Sequence, residues 1–361
     1  MDSRYPNGGW DKNYAKFIIF GGFAFIATVI GVLFFTFLNL PNLSLPPSVD
    51  SFRNIKNTMS FQDPFRDLKG AIYLTLSQQD EKLTDLYVFN TLDKTINRLF
   101  PFDKFGNKFI GFTNKYSPQN NMMAYITATR SSVGPLSLMV WEREPRDWFA
   151  VDRSPLWFKR LPQWSPDEKK ITFTAAKQKS SFDIINEWDI YVTDLKGNVS
   201  RITHGTYPFW SPDGNDLLFL RNDGLYIHDL ARNESIKVYS IPEGSIKINT
   251  QLGISSDGSL LALSEPSAIL VFQISSWEPF QMELTRRIYE KAEKSINNFY
   301  WPVFSPDNRY LVVQATTVDS KTLARSDQRL VVYELDTFKS KILTSLDDYG
   351  LDYTFVTDWR Y

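Results

Sequence analysis

The residues best suited to nucleophilic catalysis are a serine motif and two histidines. The motif Gly253-Ile254-Ser255-Ser256-Asp257-Gly258 comes near the elbow that presents a catalytic serine, but its second glycine is one residue too late for G-x-S-x-G. A Ser-His-Asp triad would need His204 or His228, the two histidines of the chain. We place His228 inside a strand and His204 in a surface loop after a strand. The serine motif itself falls in a repeated turn, so we predict no catalytic triad.

Other chemistry can be tested by residue type and spacing. The chain has no cysteine, which excludes disulfides, thiolate metal sites and cysteine nucleophiles. It also lacks the H-E-x-x-H, P-loop, dinucleotide and EF-hand motifs, so we predict no metal, no cofactor and no catalytic residues. The aspartates of its Ser-Pro-Asp sequences are better explained by turn chemistry than by metal binding. Two carboxylates meeting on one face as a glycosidase pair remain an open alternative.

The repeated turn organises the chain. Its best copy is Tyr207-Pro208-Phe209-Trp210-Ser211-Pro212-Asp213-Gly214, in which proline, aspartate and glycine suit successive positions of a tight turn. Further copies lie at 162–167 and 302–307, with weaker ones at 252–258 and 115–119. The serines at 117, 165, 211, 255 and 305 are 48, 46, 44 and 50 residues apart. A near-constant spacing of this length predicts a repeat architecture.

Each repeat contains four short runs with strand character, which predicts an all-β, six-bladed β-propeller. Neighbouring sheets must stack and the ring must close, because one small sheet cannot bury both of its faces alone. The first repeat lacks a leading strand, whereas residues 353–359 form a spare strand in phase with the repeat. We predict that this C-terminal strand joins the first unit and thereby removes two open edges.

The run P-x-W-S-P-D-G, followed by an apolar strand, I-Y-V-x-D and a short R-[IL]-T strand, resembles the TolB-type propeller repeat. Residues 162–203 and 207–229 match it well and 302–344 moderately, whereas the units near Gly253 and Ser117 depart from it. The resemblance is specific for fold and says little about function. TolB-like domains are envelope interaction modules, and similar propellers accompany the hydrolase domain of prolyl oligopeptidase-type enzymes. The resemblance therefore implies a WD-type propeller with either kind of role.

An uncharged apolar run at residues 17–38 predicts a retained transmembrane helix, a signal-anchor. At about 1.5 Å per residue, this helix is long enough to span a hydrocarbon core of about 30 Å. The alternative is a cleaved signal peptide, whose apolar region would be shorter and end at small residues. Arg4, Lys12 and Lys16 precede the run, and the next cation is Arg53. The positive-inside rule therefore predicts a cytoplasmic N-terminus.

These features predict four segments along the chain. They are a cytoplasmic tail at 1–16, a transmembrane helix at 17–38, a proline-containing linker at 39–66 and an extracytoplasmic propeller at 67–361. One face of the predicted helix carries the small residues Ala24, Ala27, Thr28 and Gly31. Small residues at this spacing let another membrane helix approach closely, although they are also common in membrane helices generally.

Two segments interrupt the repeat and contain the candidate partner interface. The first spans residues 141–160 and combines aromatic side chains with arginines; we select Trp141, Trp148, Trp157, Arg143 and Arg146. Such side chains are enriched at protein interfaces, but some of these could simply pack between blades. We predict that the second segment, residues 283–298, is a helical insertion with Leu284, Ile288 and Ala292 on one face and Arg287 beside them. It would dock on a partner or cap a blade edge.

The net charge of the chain bears on which partners it could bind. With a net charge of −1 over 361 residues, no strong field favours nucleic acid. We predict a non-catalytic, membrane-anchored propeller that binds a protein or peptide partner, as a scaffold or accessory subunit of a cell-envelope complex in the inner membrane. The alternatives are a propeller enzyme acting on a glycan or peptide, and a ligand-binding sensor module.

Overall fold

Strands account for all the regular secondary structure in the part of the chain that we describe from a computed structural model. The described residues are 65, 67–78, 84–98, 114–119, 121–127, 136–143, 147–152, 154–176, 188–241, 250–265, 268–289, 295–319, 325–346 and 351–361. They belong to one unit, Asp63–Tyr361. Among them, no helix is long and apolar enough to cross a membrane. The predicted span at 17–38, with Ala24, Ala27, Thr28 and Gly31, lies outside the described residues.

The strands form six sheets of four, which we number as blades in chain order. Blade 1 contains β1 (Ala71–Gln78), β2 (Thr84–Asn90), β3 (Ile96–Arg98) and β24 (Leu351–Arg360). Blade 2 contains β4 (Asn114–Tyr116), β5 (Met122–Thr127), β6 (Ser137–Glu142) and β7 (Trp148–Asp152). Blade 3 contains β8 (Trp157–Trp164), β9 (Lys170–Ala176), β10 (Trp188–Asp194) and β11 (Val199–His204).

The remaining blades repeat the same antiparallel order. Blade 4 contains β12 (Thr206–Trp210), β13 (Asp216–Arg221), β14 (Gly224–Asp229) and β15 (Glu234–Ser240). Blade 5 contains β16 (Gln251–Ile254), β17 (Leu260–Glu265), β18 (Ala268–Trp277) and β19 (Phe280–Tyr289). Blade 6 contains β20 (Ser295–Phe304), β21 (Tyr310–Asp319), β22 (Arg325–Glu334) and β23 (Ser340–Ser345). The predicted all-β, six-bladed propeller is therefore confirmed for the described residues.

The core lies between blades. Each of six hydrophobic clusters joins adjacent blades, including blades 6 and 1, and the cluster between blades 4 and 5 also contains Leu161 of blade 3. The second strand of blade 4 explains the pattern, because Leu217, Leu218, Phe219 and Leu220 are all buried in succession. A continuous apolar run is the signature of a strand that is covered on both faces. The outermost strands are more polar because they have solvent beside them.

The Ser-Pro-Asp turns are held by their own side chains. In blade 4, Ser211 Oγ donates a hydrogen bond to Asp213 Oδ1 at 2.6 Å and accepts one from the Asp216 backbone N–H at 2.9 Å. The bond from Ser211 lowers the pKa of Asp213 despite some desolvation. Equivalent Ser–Asp bonds occur at Ser165, Ser255 and Ser305. The interpretation of these aspartates as turn residues is confirmed.

The aromatic residue that precedes the turn serine ties neighbouring blades together. Trp164 Nε1 donates to the carbonyl of Lys115 in blade 2 at 2.9 Å, and Trp210 Nε1 donates to that of Gln163 in blade 3 at 3.3 Å. A buried indole N–H needs such an acceptor. The repeated aromatic residue therefore sets the spacing between innermost strands as well as filling the core.

The ring closes at blade 1, where β24 pairs antiparallel with β1. This is the pairing that the phase of the C-terminal strand predicts. Asp358 on β24 lies 3.0 Å from Lys115 Nζ of blade 2 and 2.9 Å from Arg360 Nε. Burial favours a raised pKa for Asp358, but Lys115 and Arg360 outweigh it and hold the pKa below its ordinary value. Closure therefore combines backbone pairing with an ion triad between blades 1 and 2.

The helix predicted at 283–298 is wrong. Residues up to Tyr289 belong to β19, which pairs antiparallel with β18, and β20 begins at Ser295. The register shifts so that Val271 faces Arg286 and Phe272 faces Leu284, which leaves Thr285 as an extra, bulged residue. The bulge changes the alternation, so Leu284 is 43% exposed while Ile288 is buried. A spacing of four residues looked helical because the bulge and the pairing with β18 cannot be seen locally. Ala292 lies outside the described residues.

A variant lacking residues 352–361 tests the closing strand. Its removal exposes an inner edge of β1 and the apolar faces that β24 covers, so we expect the melting temperature to fall by about 10 °C or more. Thermal unfolding followed by circular dichroism measures it. A control lacking only Tyr361, whose side chain is 58% exposed, should unfold near the parent temperature. A truncated protein as stable as the parent would contradict closure by β24.

The ion triad makes a separate prediction for Asp358→Ala. The change leaves two partly exposed cations without their carboxylate, so we expect a loss of about 3 kcal/mol at pH 7. Because the pKa of Asp358 is lowered by folding, its contribution is present above the unfolded pKa of about 3.9 and is lost as pH falls through the folded value. Urea unfolding at pH 7 and at pH 3 should show the difference from the parent shrinking in acid. Asp336→Ala, at an exposed residue, is the control. A stability difference between Asp358→Ala and the parent that grew in acid would contradict a lowered pKa of Asp358.

Candidate functional site

Three of the predicted interface residues lie together at the outer edge of blade 2. Trp141 on β6 and Trp148 on β7 are direct cross-strand partners. Trp148 is 40% exposed and Trp141 is half-buried. Arg143, just after β6, is exposed, and its backbone N–H donates to the carbonyl of Asn121. We call Trp141, Arg143 and Trp148 the tryptophan patch. Cross-strand pairing positions both indoles on one side of the sheet.

The other predicted interface residues lie elsewhere. Trp157 begins β8, at the end of the ring opposite the Ser-Pro-Asp turns, whereas the patch lies near the end that carries the turns. Arg287 is on β19 in blade 5, where it is 3.5 Å from Glu265 and donates to the Tyr289 hydroxyl at 3.1 Å. Arg146 lies outside the described residues. The structure therefore does not join the predicted set into one surface.

A second candidate site lies on the axis of the ring. The innermost strands surround a cavity of about 50 Å³, far below the roughly 300–1,000 Å³ of ordinary ligand pockets. Close packing explains the small volume. A Cβ placed on Gly253 of β16 would lie only 2.0 Å from the carbonyl oxygen of Pro302 on β20. The axis is therefore filled mainly by the strands themselves.

Four residues at equivalent positions lie near one end of the innermost strands, and three of them, Leu161, Tyr207 and Trp301, line this cavity. Leu161, Tyr207, Gln251 and Trp301 each lie four residues before a turn serine, and we call them the channel collar. The rings of Tyr207 and Trp301 come within 6.4 Å of each other across blade 5. Gln251 accepts a short hydrogen bond from the Trp301 backbone N–H. The collar lies toward the face opposite the Ser-Pro-Asp turns.

Backbone strain produces the collar. Leu161, Tyr207 and Trp301 have φ values of 56°, 54° and 54°, in the left-handed region, and a proline follows each of them. The strand register shifts at the same three places, as expected for β-bulges. Such conformations cost about 1–3 kcal/mol each in residues other than glycine and are found mainly at functional sites. Our sequence reasoning missed the collar, although the recurring proline three residues before the serine was an available signal.

Arg160 lies beside the collar, between blades 3 and 4. Its guanidinium stacks on the Trp188 indole, 3.7 Å from the ring centroid, and its Nη2 is 3.4 Å from Thr206 Oγ1. Burial raises the pKa of Tyr207 to about 12, against the opposing influence of Arg160 and a hydrogen bond with Gln251. The Tyr207 hydroxyl is therefore neutral at physiological pH. These residues form a partly buried, positively charged corner.

The residues considered for catalysis are held in structural roles. Ser255 is buried in its turn, where Oγ donates to Asp257 and accepts from the Leu260 backbone N–H. His228 is buried on β14 with Nδ1 2.9 Å from Ser235 Oγ, and burial lowers its pKa. His204 ends β11 rather than lying in the loop after it, and it is 3.4 Å from Asp189. Within the described ranges, no group of three or more potential metal ligands occurs.

Known proteins provide a comparison for the fold. No protein-family model and no curated protein matches the chain. Among solved structures, it is similar to TolB from Acinetobacter baumannii, with 15% identity, a TM-score of 0.44, and coverage of 73% of this chain and 65% of that one. It is also similar to a putative TolB from Agrobacterium tumefaciens, with 12% identity, a TM-score of 0.48, and coverage of 77% and 89%.

A third similar structure is the periplasmic gluconolactonase PpgL of Pseudomonas aeruginosa. The identity is 12% and the TM-score 0.52, over 79% of this chain and 98% of that one. The chain spans about 65% of the length of the Acinetobacter TolB. At such identities the likeness concerns the fold, and a shared fold does not carry function with it. The fold is a TolB-like six-bladed β-propeller.

Proposed function

We propose that this TolB-like propeller is a non-catalytic protein-interaction module, serving as a scaffold or accessory subunit of a membrane complex. The residues at 17–38 would anchor it in the membrane, with the propeller outside the cytoplasm. The observation that carries the proposal is the tryptophan patch, in which a 40% exposed Trp148 stands beside Trp141 and Arg143. Tryptophan and arginine are the residue types that dominate binding energy at protein interfaces.

The position of the patch supports contact with a protein. Trp148 is on β7, the outermost strand of blade 2 in the described sheet. An outer strand presents backbone N–H and carbonyl groups that a partner strand can pair with, next to the indoles. A partner could therefore combine hydrogen bonding along β7 with burial of Trp148.

The filled axis also supports this role. In the part of the ring that the structure describes, the axial cavity is about 50 Å³, which leaves room for water but not for a peptide or a sugar chain. Binding of a macromolecule is therefore expected on the outer surface of the blades. This argument favours the interaction module over an enzyme that acts within the central channel.

Orientation in the membrane can be tested by protease access. Because Arg4, Lys12 and Lys16 precede the apolar run and no cation follows it until Arg53, we expect an extracytoplasmic propeller. Protease added to intact spheroplasts should digest the propeller while a cytoplasmic marker protein stays intact. Full protection of the propeller until the membrane is lysed would reverse the proposed topology.

The patch can be tested by site-specific photo-crosslinking in membranes that contain the full chain. A photoreactive amino acid at position 148 should give one adduct of defined mass, identified by mass spectrometry, because Trp148 would lie within the interface. The same probe at Ile236, which is 59% exposed on the outermost strand β15 of blade 4, is the matched control and should give no such adduct.

A second comparison makes the test specific to the patch. With the probe kept at position 148, the Arg143→Ala change should reduce the adduct several-fold. Truncating a central interface arginine to alanine typically costs about 2 kcal/mol of binding free energy. The Leu92→Ala change, at a residue 74% exposed in blade 1, should leave it unchanged. Equal adducts from positions 148 and 236, or none from either, would count against the proposal.

A further inference from the structure

Arg160 is a partly buried cation without a carboxylate partner in the part of the chain described. Its contacts there are the Trp188 ring and a long hydrogen bond to Thr206. Burial lowers its pKa, and among the described residues Tyr207 opposes that shift. Arg201, by contrast, forms a bidentate pair with Asp189 in the same blade. A guanidinium that is withdrawn from water without an anion is unfavourable.

Unsatisfied polar atoms lie next to each other at this place. Arg160 Nε and Thr174 Oγ1 are both buried and have no hydrogen-bond partner among the described residues. The two residues are direct cross-strand partners on β8 and β9, so their side chains lie on the same side of the sheet. Buried polar groups are nearly always hydrogen-bonded, and each exception calls for a bound water, an ion or a functional reason.

The surroundings specify the charge and shape of what could fill this place. Arg160 supplies a positive charge, while Thr174 and the neutral Tyr207 hydroxyl supply donors that carry no charge. Trp188, which is only 2% exposed, covers one face of the guanidinium, so a ligand would have to meet the edge that carries Nε and Nη2. A flat, singly charged group with two acceptor oxygens fits such an edge.

We propose that Arg160, Thr174, Thr206 and Tyr207 form a carboxylate-binding site beside the channel collar. The carboxylate would accept hydrogen bonds from Nε and Nη2 of Arg160, and the Thr174 hydroxyl would donate to it. A bound water would satisfy the hydrogen bonds but would leave the charge of Arg160 uncompensated. The site lies in blades 3 and 4, away from the tryptophan patch in blade 2, so it does not depend on the proposed partner interface.

Thermal unfolding of the purified full chain in detergent tests the site with acetate as the probe. Acetate replaces chloride at constant sodium concentration, and the expected result is a saturable rise in melting temperature, since a ligand that binds only the native state stabilises it. Arg160→Met should abolish the saturable rise. Arg286→Met is the matched control, because that arginine also lies over an aromatic ring, 5.1 Å from the Phe338 centroid, but is exposed.

A milder variant covers the case in which Arg160→Met fails to fold. Thr174→Val keeps the shape and the cation but removes the hydroxyl, and should weaken acetate binding roughly fivefold. Trp188 gives an independent signal. Acetate should change the tryptophan emission of the parent, and the Trp188→Phe variant should lose that change, because the indole is stacked on the guanidinium that binds the ligand.

The source of the carboxylate is decided by two further probes. N-acetylglycine imitates the end of a peptide chain, and N-acetylglycinamide is its uncharged counterpart. Saturation by both acetate and N-acetylglycine, but not by the amide, supports a peptide terminus as ligand; saturation by acetate alone supports a small free carboxylate. No saturation by either acid, or an equal response in Arg160→Met, would overturn the site and leave a bound water as its occupant.

Discussion

Each blade of this protein is a small sheet with two apolar faces, and it can bury both only by lying between two others. The six hydrophobic clusters of the described residues each join neighbouring blades, and none belongs to a single blade. An array of such sheets stays incomplete at its two ends unless it becomes a ring. Two kinds of contact hold neighbouring blades together in the ring. Trp164 and Trp210 donate hydrogen bonds to the preceding blade, and β24 pairs with β1 to close the ring.

The same requirement shapes the axis. Innermost strands that approach closely enough to bury their neighbours leave little space, as the contact between Gly253 and Pro302 illustrates. The three strained residues before proline then line the space that remains. A strained backbone persists only when its surroundings over-determine it. Here the bulges, the prolines and the hydrogen bond from Trp301 to Gln251 together hold the collar, and Arg160 lies immediately beside one of the bulges.

The fold was predictable because its determinants are local. A serine and an aspartate two residues apart define four of the turns. Their chemistry is complete within six residues, as Ser211 and Asp216 show. What depends on tertiary structure was not predictable. The bulge at Thr285 gave a strand the apolar spacing of a helix, so the strand was predicted as a helix. Trp157 and Trp148 lie at opposite ends of their blades because of the directions of β8 and β7. A lone arginine in the sequence does not show whether a carboxylate will lie near it in the fold. The surroundings of Arg160 were therefore not predicted, whereas Trp141, Arg143 and Trp148 were grouped because they are close in sequence.

Ring closure also affects the order in which the molecule can be completed. The Thr357 hydroxyl bonds to the carbonyl of Tyr73, 284 residues earlier in the chain. On the ribosome, β24 emerges after every other described strand, so blade 1 must wait with three strands while blades 2 to 6 are made. Contacts this distant in sequence form slowly. Until β24 is made, this edge of β1 lacks its partner strand, and an unpaired strand edge is open to wrong pairing.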